Sequence, residues 1–169
     1  MSRSLGVDSA GREGAVSRAD ALILEAATGV RELTHAELQE VLAHVAQAGF
    51  DPRPDKRGRT NAEAHYRKHV ERFREWPPGT TLEAYLQSAR RVILDPRSSV
   101  FTSRYAGYWQ LAVIRRADEL RGPGGSDWVV VEYRVELGHW TTVFQPRDLE
   151  HDFLYATKRE HLRWLRRRS

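Results

Sequence analysis

The chain has 169 residues and a mass of 19.4 kDa, enough for one sizeable hydrophobic core but too little for two full domains. It has no cysteine, which excludes disulfides and thiolate metal sites, and no run of residues is long and apolar enough for a signal peptide or a bilayer span. The net charge is +4 with a pI near 9.7, a mild bias toward a polyanionic partner.

The charge is unevenly placed. Residues 1–51 carry four Lys or Arg against eight Asp or Glu, 52–75 carry eight against four, 76–146 eight against seven, and the tail from 147 seven against four. Positive charge therefore gathers in the second quarter and in the tail. That distribution suits an RNA-binding surface, and equally the solvated faces of helices.

The Gly- and Ser-rich start, to about residue 15, is expected to be disordered. Ser17 caps a short predicted helix that ends at Gly29. Thr34 with Glu37 forms a capping box for a second, with Leu38, Val41, Leu42 and Val45 as its buried stripe and Gly49 as its end. Together they make an acidic helical hairpin. The stretch DPRPDKRGRT has linker composition, so the expected division is 1–59 (start, hairpin and linker) and 60–169 (an α+β domain).

Thr60 and Glu63 form a second capping box. It opens a helix whose stripe is Ala62, Tyr66, His69, Val70, Phe73 and Trp76. Within it, His65-Tyr66-Arg67-Lys68-His69 places two imidazoles four residues apart, His69 in the stripe and His65 on its flank, with Lys68 and Arg72 extending that flank. Imidazole and cationic groups on one edge suit phosphate binding and proton transfer near neutral pH. A zinc site is disfavoured, because no glutamate follows the first histidine and the neighbours are cationic. Prolines 77 and 78 break this helix. Thr80 with Glu83 is read as a third capping box, for a helix with Leu82, Tyr85, Leu86, Ala89, Val92 and Ile93 buried, Arg90 at the stripe's edge, and Asp95-Pro96 as its stop.

Beyond Tyr105 the texture turns to β. YWQLAVIRR, WVVVEYRV and HWTTVF are read as strands. GPGGS is a turn between the first two, and Glu136-Leu137-Gly138 is the tight connection of a hairpin. Simple alternation puts Trp140, Thr142 and Phe144 on one face. The final stretch, RDLEHDFLYATKREHLRWLRRRS, is expected to be a basic amphipathic helix burying Leu149, Phe153, Leu162 and Leu165. Tyr105 and Tyr108, next to Arg104, are candidates for stacking on unpaired bases.

The order of these motifs resembles bacterial toxin ribonuclease domains of the barnase, colicin-nuclease and RelE (BECR) type, as found in polymorphic and contact-dependent toxins. The features are an H-x-x-K-H helix (His65, Lys68, His69), a following helix with Glu83, Tyr85 and Ala89, and a hairpin ending Thr142-Val143-Phe144-Gln145-Pro146. The resemblance spans roughly residues 60–146. It implies an α+β fold with helices against an antiparallel sheet of about four strands and a site between the layers. The implied activity is metal-independent cleavage of RNA, frequently tRNA, giving 2',3'-cyclic phosphate ends. Carried over, His65, His69, Lys68 and Thr142 form the catalytic set, with His69 as base and His65 as acid or the reverse. Arg90 is the phosphate binder carried over with them, and Arg72, Tyr105 and Tyr108 are further candidates for binding substrate. No metal or cofactor is implied, and the expected partners are RNA and an immunity or antitoxin protein, with no membrane. The expected location is the cytoplasm, either the producing cell's or that of a target cell. The alternative expectation is a noncatalytic RNA- or protein-binding module on the same fold. A further expectation is that the acidic residues 1–51 fold over the basic helix and limit access to it.

Overall fold

A computed structural model describes residues 15–168 of the chain; the Gly/Ser-rich start lies outside the described residues. The fold is α+β, built on an open, wholly antiparallel five-stranded sheet of order β4-β3-β2-β1-β5. The strands are β1 (Ser99–Tyr105), β2 (Tyr108–Arg116), β3 (Trp128–Arg134), β4 (His139–Phe144) and β5 (Arg159–Arg166). Helices α1 (Arg18–Ala27), α2 (His35–Ala48), α3 (Asn61–Tyr66) and α4 (Leu82–Leu94) precede them. No described helix is long and apolar enough to cross a membrane.

Local chemistry sets the helix starts. Ser17 Oγ accepts the Asp20 amide, and Thr34 with Glu37 and Thr60 with Glu63 close reciprocal capping boxes. The third cap differs from expectation by one residue. Thr81 caps α4 through the Ala84 amide, while the Thr80 hydroxyl donates to the Pro77 carbonyl and holds the preceding turn.

Helices α1, α2 and α4 cover one face of the sheet. Ile23, Val41, Val45, Tyr85 and Val92 meet Val100, Val113, Val131 and Tyr133 there in a single core. The front hairpin is thus part of that core, and none of its described residues lines the cleft described below. Of the front segment, Phe50 stacks on His65 of the histidine helix, while α1 and α2 pack on the sheet, so deleting residues 1–51 would strip a wall from the core.

Two strands were not anticipated. In β1, buried Ser99, Thr102 and Ser103 surround Val100 and Phe101, so a polar composition hides an inner strand. The tail is not a helix. It forms a π-helical turn at Glu150–Leu154 and then β5, which pairs with the outer side of β1. Leu162 and Trp164 alternate onto one face, and β5 satisfies the β1 backbone groups that an edge would leave open. The second face carries a smaller cluster, in which Phe101, Ala112, Ile114 and Val130 are covered by Phe153 and Leu154.

The expected alternation in β4 is also corrected. The register shifts between Glu132↔Thr142 and Tyr133↔Trp140, leaving Thr141 as the extra residue of a β-bulge. Trp140 and Val143 therefore pack into the helix-side core, whereas Thr142 and Phe144 belong to the opposite face.

Candidate functional site

The sequence of α3 continues past Tyr66 as a π-helical turn, Arg67–Arg72, with the Phe73 amide bonded to the Lys68 carbonyl. Such turns are rare and concentrate at functional sites. Arg74 then adopts a left-handed conformation (φ 54°), and the Glu75 amide returns to the His69 carbonyl at 2.9 Å, the wide closing bond of a helix C-terminus. The expected helix to Trp76 thus ends four residues early. Phe73 is left half out in solvent, and the Glu75 side chain folds back under the helix end.

That return places a carboxylate on a histidine. His69 Nδ1 lies 3.1 Å from each carboxylate oxygen of Glu75, and both side chains are buried. An ionised carboxylate can only accept, so Nδ1 carries the hydrogen and the tautomer is fixed. Nε2, also buried, has no protein partner. Glu75 is itself held by the Gln145 amide at 2.9 Å. The Gln145 side chain accepts from the Ser126 amide (3.0 Å) and donates to the Leu120 carbonyl (2.7 Å), tying down the β2–β3 loop. That loop returns the grip: Gly122 and Gly124 amides bond the Glu75 and Arg74 carbonyls at 2.7 and 2.9 Å. A Cβ on Gly124 would stand 2.0 Å from the Phe73 carbonyl oxygen, so the GPGG turn is glycine for close approach.

His69 borders a cleft of about 490 Å³ on the sheet face away from α1, α2 and α4. This cleft does not lie between the helical layer and the sheet; of the helical segments before β1, only the π-turn reaches it. On its floor Glu132 is buried, bonded by Arg159 (3.0 Å), and accepts the Gln110 amide nitrogen when that amide is oriented to donate. Burial pushes the Glu132 carboxyl above the ordinary range, and Arg159 opposes that shift. Arg159 also donates to Ser103 Oγ (2.8 Å) and the Phe153 carbonyl (3.0 Å), and its guanidinium lies 4.3 Å from the Phe153 ring centroid and 5.1 Å from that of Tyr105. At the rim the Arg134 guanidinium carbon stands 3.1 Å from the centroid of Tyr108, a stacked cation–π pair.

Of the residues singled out from sequence, His69, Lys68, Thr142, Tyr105 and Tyr108 all line this cleft. Three do not. His65 stacks between Phe50 (4.7 Å) and His69 (5.7 Å) beyond the β4 edge, and burial, with help from His69 and Lys68, pushes its pKa down to about 4. Such an imidazole is neutral at pH 7, and it stands outside the cleft. Arg90 lies on the helix side, its guanidinium 5.7 Å from the Trp140 ring, and Arg72 sits over Phe73 at 5.4 Å.

Sequence reasoning missed Glu75, Gln110, Glu132 and Arg159. Glu132 had a signal: it is the one charge in the run WVVVE before Tyr133, and a charge in a buried strand needs a partner. Arg159 was hidden by the helical reading of the tail. Among the described residues, no group of three or more His, Asp or Glu is arranged to hold a metal ion. No family model, curated protein or solved structure matches the chain.

Proposed function

We propose that the chain is a metal-independent endoribonuclease on a BECR-like fold, cleaving RNA, tRNA among its candidate substrates, by transphosphorylation from the ribose 2'-hydroxyl. One observation carries this reading: a buried carboxylate, Glu132, and an imidazole, His69, with one nitrogen bonded to Glu75 and the other buried and unpartnered, border the same cleft. RNA supplies its own nucleophile. The protein need only remove the 2'-proton, protonate the departing 5'-oxygen and stabilise charge on phosphorus.

Glu132 is the base. Arg159 and Gln110 both donate to its charged form, and a carboxylate raised above the ordinary range is a stronger proton acceptor than a solvated one. His69 is then the acid. As the imidazolium, with Nδ1–H donating to Glu75, it gives its Nε2 proton to the departing 5'-oxygen and is left as the neutral ring that carries hydrogen on Nδ1. The Lys68 ammonium and the Thr142 hydroxyl at the cleft wall would bind the nonbridging oxygens. The 2'-oxygen bonds to phosphorus as the P–O5' bond breaks, giving a 2',3'-cyclic phosphate and a 5'-hydroxyl. Tyr105 and Tyr108 offer rings to the upstream base. His65 drops out of the acid–base pair and supports the His69 ring by stacking.

The test is incubation with total tRNA and a set of unstructured RNAs in EDTA, with analysis of the ends. Wild type should give cyclic-phosphate fragments that vanish in His69→Gln and Glu132→Gln. A folded, inactive wild type with salt-dependent RNA affinity would replace this reading with a noncatalytic RNA-binding module. Ends bearing 5'-phosphate, formed only with added metal, would refute the scheme.

A further inference from the structure

His69 stands between two hollows. On one side is the cleft of about 490 Å³ that contains Glu132, Tyr105 and Tyr108. On the other is a lobe of about 290 Å³, bordered by Phe73, Gly124, Pro146 and Arg147, which Glu132 does not reach. His69, Lys68, Phe144 and Asp152 are common to both. Phe73 is 42% exposed, its ring edge-on to His69 at 5.9 Å. Its ring borders the lobe and is open to a ligand that enters there.

In-line displacement fixes which hollow takes which half of the substrate. The attacking and leaving oxygens lie on opposite sides of phosphorus, so the base and the upstream ribose share one hollow and the leaving oxygen points past the acid. With Glu132 in the larger hollow and His69 at the boundary, the departing 5'-oxygen faces the smaller lobe. We infer that this lobe is the subsite for the nucleoside 3' to the scissile bond, with Phe73 as the platform on which its base stacks. The inference rests on the ribonuclease reading above. The lobe's grip is on the base; Arg147 at its border, and Arg72 with its guanidinium 5.4 Å from the Phe73 ring centroid, put positive charge near the chain beyond.

The experiment uses DNA oligonucleotides carrying a single ribonucleotide, each of the four in turn, so that only one bond can be cut. The nucleotide on its 3' side is either a normal base or abasic. Wild type should lose about 10-fold in kcat/KM on the abasic substrate, the usual scale of one base–aromatic stack. In Phe73→Ala that ratio should fall to near unity, and in Phe73→Trp it should be kept. An unchanged ratio in a folded Phe73→Ala overturns the subsite. So does a Phe73→Ala that instead erases discrimination at the upstream base, since this would reverse the polarity. Failure of wild type to cut any of the substrates removes the ribonuclease reading and the subsite with it, a result distinct from cutting without coupling to Phe73.

Discussion

His69 Nδ1 stands 3.1 Å from both carboxylate oxygens of Glu75, six residues further along the chain, because a left-handed Arg74 turns the backbone under the end of its own helix. Glu75→Gln keeps the size of the side chain and removes the obligate acceptor. A neutral amide cannot stabilise the imidazolium, protonated at both nitrogens, that His69 must form to act as the acid. The expected result is a loss of about 10²–10⁴ in kcat with little change in KM, measured by single-turnover cleavage with circular dichroism as the control for folding.

The loop that holds Glu75 has no room for a side chain at Gly124. Gly124→Ala should cost about 1–3 kcal/mol, since a Cβ there would lie 2.0 Å from the Phe73 carbonyl oxygen. Cleavage should fall further than that destabilisation explains, because the displaced backbone carries Glu75. Urea denaturation alongside kcat separates the two effects.

Arg159 and Arg90 should behave in opposite ways. Arg159→Ala leaves the Glu132 carboxylate buried without its cation, a change worth about 3–5 kcal/mol. Arg90→Ala removes only a guanidinium over Trp140, at a cost of about 1 kcal/mol or less, and should cleave RNA like wild type. Equal loss of activity in the two variants would mean that phosphate is bound on the helix side.

His65 predicts a pH signature in stability. Its folded pKa, about 4, lies below the ordinary 6.5, through burial and then the nearby His69 and Lys68. The unfolded chain therefore takes up this proton first as pH falls. The contribution to stability is complete above 6.5 and is lost as pH drops from 6.5 through 4. Discounted for partial exposure, it amounts to about 1–2 kcal/mol. His65→Phe keeps the stack on Phe50 and should flatten this part of the Tm-versus-pH curve; an unchanged slope in thermal melts would refute the assignment.

Capping boxes at Thr34 and Thr60, the helical stripe of α4 and strands β2, β3 and β4 are legible from sequence, because their signals are local. What failed was long-range. Strand β5 was read as a helix, since its arginines satisfied a helix-end argument and its partner β1, rich in serine, had not been recognised. The Thr141 bulge cannot be read from alternation, because it is defined by the register of a neighbouring strand. Half of the candidate site was visible for the same reason: His69, Lys68 and Thr142 sit in a motif, whereas Glu132 and Arg159 become partners only once strands 27 residues apart are brought together.

The sheet order has a kinetic consequence. Strands β1 to β4 form a meander of neighbours, but β5 must travel past all of them to reach β1, closing Val100 onto Arg166. Local hairpins close early, and the distant pairing comes with the larger loop-entropy cost. Until β5 docks, the meander carries Glu132 without its cation, and the cleft lacks one wall. On refolding, secondary structure should therefore return ahead of the Glu132–Arg159 pair, and with it any activity of the cleft.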